Sequence, residues 1–110
     1  MASLGKVKLT SASGKQYRFR VFTLGTRFKS ISGVYLISRR ATRAEGGHRH
    51  KILHVGNTED FSQPFDGYRK AQELVRYGAN CICVQTDTSA ESRCKKEQDL
   101  AATFSPKSHP

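Results

Sequence analysis

Between Gln16 and Phe22 the residues Tyr17, Phe19 and Val21 alternate with Arg18 and Arg20. An extended strand sends successive side chains to opposite faces, so this period-two pattern reads as a strand with one apolar and one basic face. The segment Lys6 to Thr10 precedes it across Ser11-Ala12-Ser13-Gly14-Lys15, a polar turn whose glycine tolerates positive φ. A β-hairpin is expected here.

Further short β-rich runs follow at Val34-Tyr35-Leu36-Ile37, at Ile52-Leu53-His54-Val55, which stops at Gly56-Asn57, and at Ala79 to Gln85. The stretch from Ser38 to Lys51 holds four Arg, two His and Gly46-Gly47, and reads as a basic loop too polar to pack. From Asp66 to Tyr77 the residues Tyr68, Ala71, Leu74 and Val75 fall at helical spacing before Gly78, a C-terminal stop. Thr88-Ser89-Ala90-Glu91 has a capping-box form and opens a last helix running to about Phe104. The order hairpin, β, β, α, β, α predicts an α+β fold, a small mixed or antiparallel sheet flanked by helices. A length of 110 residues suits one domain, with residues 1–30 as an N-terminal hairpin extension and 31–109 as the core.

Lys and Arg number 19 against 9 Asp and Glu, a net charge of +10. Such an excess concentrates polyanions around the chain, and each neutralised phosphate releases counterions. Nucleic acid is therefore the expected partner, with Arg39, Arg40, Arg43, Arg49 and Lys51 as a phosphate-gripping stretch. A solvated basic loop is the plainer reading of the same residues. No apolar run approaches the ~18 residues of a membrane span, so no membrane partner and a soluble, cytoplasmic protein are expected. Cys81, Cys83 and Cys94 are odd in number, and Cys81 and Cys83 point to one face of a strand, which suits reduced core thiols. His48-Arg49-His50 with these cysteines lacks the ordered ligand pairs of a zinc site. No Ser-His-Asp order, P-loop or dinucleotide fingerprint is present.

On the last helix, spacing puts Glu97 on one face with Ala90, Cys94, Ala101 and Phe104. A carboxylate turned toward a core needs a cation, an Arg or Lys partner, or a metal ion.

Gly33-Val34-Tyr35 and His54-Val55-Gly56 resemble the two short strand motifs of the GIY-YIG nuclease superfamily. Asn57-Thr58-Glu59-Asp60-Phe61, a helix, the run Gly78 to Val84 and Arg93-x-x-x-Glu97-x-Asp99-Leu100 ending near Pro106 follow in the family's order, over about Ile31 to His109. The resemblance implies that Tyr35 acts on the attacking water and that Glu97 binds a divalent metal, Mg²⁺ or Mn²⁺, if the site is active. It puts His54 where the family has its second Tyr, Pro64 where it has a phosphate-binding Arg, Tyr68 where it has a His, and His109 where it has an Asn. Arg69 is turned by roughly 140° of helix from position 64 and is expected to touch phosphate outside the site. With the Arg, His and Asn anchors changed at Pro64, Tyr68 and His109 in addition to the second Tyr, the resemblance implies a nucleic-acid-binding domain, with DNA the first expectation, whose nuclease site built on Tyr35, His54, Tyr68 and Glu97 is inactive or weak. An active metal-dependent endonuclease and a protein-interaction module that keeps only the fold are the alternatives.

Overall fold

The computed structural model describes residues 3–63 and 66–104, with residues 66–68 as backbone. The alternating segment is β2 (Gln16–Thr23), paired with β1 (Gly5–Thr10) across the turn, where Gly14 takes φ 88°. The chain continues through β3 (Gly33–Thr42), β4 (His48–Thr58), α1 (Asp66–Leu74), a 3-10 turn at Val75–Tyr77, β5 (Cys81–Thr86) and α2 (Ala90–Phe104). All five strands form one sheet in the order β1-β2-β5-β3-β4, and each pairing is antiparallel. The fold is α+β, and the N-terminal hairpin belongs to the same sheet because β5 returns to pair with both β2 and β3.

The pleat sorts the apolar residues into two cores. One face carries Phe19, Val21, Val34, Leu36, Val55 and Cys83, and α2 covers it with Leu100, Ala101 and Phe104. The other carries Phe22, Tyr35, Ile37, Leu53, Ile82 and Val84, packed with Leu74 and Ala71 of α1, with Ala79, and with Phe61 and Phe28 from the connections. We call these the α2 face and the α1 face. The turn of the first hairpin is fastened to α2: the Ala12 amide donates to Thr103 Oγ1 at 2.9 Å, and the Tyr17 hydroxyl donates to Asp99 at 2.7 Å.

The stretch from Ser38 to Lys51 is not a loop. Its residues extend β3 and β4 beyond the edge of β5 as a two-stranded ribbon, with Arg39 opposite Lys51, Arg40 opposite His50, Ala41 opposite Arg49 and Thr42 opposite His48. The tip is closed by Arg43 N–H to Gly47 C=O at 3.0 Å and Gly46 N–H to Arg43 C=O at 3.1 Å, with Gly46 and Gly47 at φ 95° and 77°. Both faces of the ribbon are wet, so it shows no hydrophobic alternation, and backbone pairing rather than burial holds it. At its root Asn80 imitates a strand neighbour. The Arg40 amide donates to Asn80 Oδ1 at 2.7 Å, and Asn80 Nδ2 donates to the Arg40 carbonyl at 3.0 Å.

A β-bulge lies where the ribbon leaves the sheet: Ile37 pairs with His54 but Ser38 pairs with Ile52, so Leu53 is an extra residue. Ile52 stays in the α2-face core and Leu53 in the α1-face core. Beyond the bulge, pairing and alternation put Arg39, Arg49 and Lys51 on the α1 side, and Arg40, His48 and His50 on the other.

The helices also depart from expectation in detail. The first ends as α-helix at Leu74, and Val75 is 56 % exposed, because the chain tightens into the 3-10 turn before Gly78 stops it at φ 93°. On α2 the cap is Ser89, whose Oγ accepts from the Ser92 amide at 3.1 Å. Its buried residues are Arg93 and Leu100, while Cys94 is exposed. Among the described residues no helix is long and apolar enough to cross a membrane.

Candidate nucleic-acid interface

Tyr35 and His54 meet on the α1 face, with ring centroids 5.8 Å apart. Tyr35 is a core side chain, 1 % exposed, set edge-on to Phe61 at 6.1 Å. Its ring and hydroxyl lie over Gly56, its partner on β4, where no Cβ fits. Gly33 is equally constrained: a Cβ there would run into the Gln85 carbonyl and stand 3.0 Å from the Phe61 ring. The residues of the two strand motifs thus have packing roles in this molecule.

Glu97 does not join them. It accepts a hydrogen bond from the Asn57 side-chain amide, and Asn57 follows Val55 on the α2 side of β4, the opposite face from Tyr35. Asn57 Oδ1 in turn accepts from Arg93 Nε at 3.4 Å, and Arg93, only 4 % exposed, also donates to the Asp87 carbonyl at 3.1 Å. Carboxylate and guanidinium are linked through the amide, which meets the need of the inward-turned Glu97. Mg²⁺ keeps octahedral oxygen ligation around one or two carboxylates and substrate phosphates. Here the single carboxylate is engaged by an amide beside a guanidinium, and among the described residues no three His, Cys, Asp or Glu side chains gather as a metal group.

Nearby, Asp87 anchors the start of α2. It accepts from Ser92 Oγ at 2.6 Å and the Ser89 amide at 3.0 Å and pairs with Lys96 at 2.9 Å, and these contacts, Ser92 first, hold its carboxyl far below the usual carboxylate range.

The expected basic residues come together better. Arg39, Arg40, Arg43, Arg49 and Lys51 all sit on the ribbon or its tip. The Arg39 side chain lies against Gly78, next to Tyr77, which is 55 % exposed. His50 Nδ1 is 3.0 Å from Ser38 Oγ, and burial, then Arg40, lowers its pKa, which favours neutral imidazole. Arg69 is exposed on α1. Pro64 and His109 lie outside the described residues, as does the side chain of Tyr68.

A second basic surface lies on the N-terminal hairpin. The hairpin register sets Lys6 opposite Arg20 and Lys8 opposite Arg18 on the α1 face. Like charges placed directly opposite destabilise a strand pair, each by an amount of order 0.2–1 kcal/mol. The alternation of Lys6 and Lys8 with Val7 and Leu9 carried the signal, but only the pairing register joins it to Arg18 and Arg20.

Among the described residues no strand contains an acidic side chain; all nine Asp and Glu of the chain lie in the helices, turns and connections. Eight strand positions are Lys or Arg, whereas on α2 Glu91, Glu97 and Asp99 balance Arg93, Lys95 and Lys96. A five-stranded antiparallel sheet with a protruding basic ribbon and two helices thus defines the class of this molecule. No protein-family model, curated protein or solved structure matches the chain.

Proposed function

We propose that this protein binds double-stranded nucleic acid, DNA in the first instance, through the basic ribbon, and that it does not cleave it. The ribbon itself carries the reading. Residues 39–42 and 48–51 extend past β5, and four residues of strand span about 13 Å. The major groove of B-DNA, about 12 Å wide and 8.5 Å deep, admits such a two-stranded element. Cations on both of its sides reach both walls of the groove, where they neutralise phosphates rather than read bases.

The succession of β3-β4 hairpin, α1, β5 and α2 agrees with the order of the GIY-YIG resemblance, and we read the chain as a divergent relative of that fold. Absence of cleavage is supported by Tyr35 being 1 % exposed and by Glu97 being engaged by Asn57 on the other side of the sheet. Phosphodiester hydrolysis needs fixed positive groups aimed at the developing charge together with an activated water, and these residues do not converge on one point.

Fluorescence anisotropy with a labelled duplex over a salt series tests the binding. Affinity is expected to fall steeply with salt, and replacing Arg39, Arg43, Arg49 and Lys51 by Ala should flatten the log–log slope by about 0.9 for each phosphate no longer neutralised. A slope unchanged by these substitutions rejects the ribbon. Plasmid incubated with Mg²⁺ or Mn²⁺ should stay supercoiled, whereas nicking abolished by Glu97→Ala would establish the endonuclease alternative.

A further inference from the structure

On the α1 face, α1 packs chiefly on β3 and β4, and the β2–β3 connection lies beside β2 and the end of β5. A cleft of about 690 Å³ opens there, between the sheet and the β2–β3 connection. Lys6, Arg18, Arg20 and Lys29 line it, with Phe22, Phe28, Ile31 and Val84 among its apolar walls, and among the described residues no acidic side chain takes part. Phe22 and Phe28 meet edge to face at 5.2 Å.

We propose that this cleft binds single-stranded nucleic acid, an unpaired base entering against the Phe28 side of the apolar wall while the flanking phosphates lie on Arg18, Arg20, Lys6 and Lys29. Two observations select this occupant. The opposed pairs Lys6–Arg20 and Lys8–Arg18 crowd positive charge on one side of the hairpin, a repulsion that a polyanion relieves. The apolar wall then separates the candidates. A duplex keeps its bases stacked inside and gains nothing from rings beneath its phosphates, whereas a single strand offers a π-face to an aromatic surface. A peptide of Asp and Glu alone would satisfy the cations but has no planar group for the wall. The site is distinct from the ribbon and does not depend on the duplex reading.

The test uses the full chain with a labelled oligothymidylate, which has no internal pairing, beside a labelled duplex and thymidine monophosphate. Arg18→Ala with Arg20→Ala should weaken oligothymidylate binding by about tenfold or more and flatten its salt slope by about 0.7 for each phosphate released, with duplex binding to the ribbon changed less than about twofold. Arg49→Ala with Lys51→Ala should show the reverse preference. Phe28→Leu, which keeps an apolar residue of similar size, should cost about fivefold or more on the single strand with the salt slope unchanged, the signature of lost stacking. Thermal melts check that each variant is folded. The proposal is overturned if oligothymidylate binding ignores Arg18 and Arg20, if the duplex is the ligand that depends on them, or if the monophosphate displaces the oligonucleotide at equal nucleotide concentration. Failure of the ribbon variants to affect duplex binding would reject the ribbon and leave the cleft standing.

Discussion

The Tyr35 ring lies across Gly56, its cross-strand partner, so closely that the glycine has no space for a Cβ. The contact joins β3 to the edge strand β4 and walls one side of the α1-face core.

Gly56→Ala should therefore destabilise the protein by about 1–3 kcal/mol, the usual cost of overpacking, measured as a lower urea midpoint at unchanged m-value. The cost belongs to the ring. In a Tyr35→Leu background the same substitution should cost clearly less, and equal costs in the two backgrounds would show that the glycine is needed for another reason.

Thiol chemistry should divide the three cysteines. Cys94 is exposed on α2, while Cys81 and Cys83 are buried and burial pushes both thiols up, Cys83 to about 12. An aromatic disulfide reagent should label one thiol in the native protein and all three after denaturation. Peptide mapping that finds Cys83 labelled under native conditions would contradict the core described above.

Acid should weaken the attachment of α2. The carboxyls of Asp87 and Asp99 are held below their ordinary value, chiefly by hydrogen bonds from Ser92 and Tyr17 respectively. Their contribution is therefore present above about pH 4 and lost as pH falls through the lowered folded values. Chemical denaturation between neutral pH and the acid range should show that Asp87→Asn and Asp99→Asn are less stable than the parent at pH 7, with the gap closing on acidification. A gap that is constant with pH would assign the effect to packing alone.

Alkali should act at the same junction with opposite sign. Burial, then the bond to Asp99, pushes the Tyr17 phenol from 10.0 up to about 12. A raised folded pKa means stability that is complete below pH 10 and lost as pH rises toward the folded value. Tyr17→Phe should abolish this part of the alkaline loss, and an unchanged alkaline profile in the variant would remove Tyr17 as its source.

Much of the sheet was legible because its strands have one buried face. Tyr17, Phe19 and Val21, and the runs at Val34, Ile52 and Cys81, announce themselves by apolar residues with turn signals around them. The outer halves of β3 and β4 do not, since Arg39 to Thr42 and His48 to Lys51 bury nothing, and period-two reading depends on burial. The pairing of Tyr35 with Gly56, and the nearness of His54, followed once the two motif strands were neighbours. The place of Glu97 was a question of parity: α2 could pack on either side of the sheet, and Leu100, Ala101 and Phe104 chose Val34 and Leu36 rather than Tyr35 and Ile37. Spacing also set Glu97 beside Cys94, whereas the buried stripe runs one residue away through Arg93. Nothing local to β2 announces that β5, sixty residues on, is its second neighbour.

The acid-free strands have a consequence for how a partner arrives. A chain of +10 is drawn to a polyanion from any direction, but charge spread unevenly over a body also exerts a torque. The helix α2 is balanced, while the strands carry positive charge alone and the ribbon tip holds both Arg43 and Glu45, so the field of a polyanion would turn the strand side toward it and leave the helix side trailing. That turning acts over roughly one Debye length, about 8 Å at physiological salt. If the proposed partner is nucleic acid, encounters should favour the ribbon and the hairpin side of the sheet, and salt should slow them by weakening the turning as well as the pull.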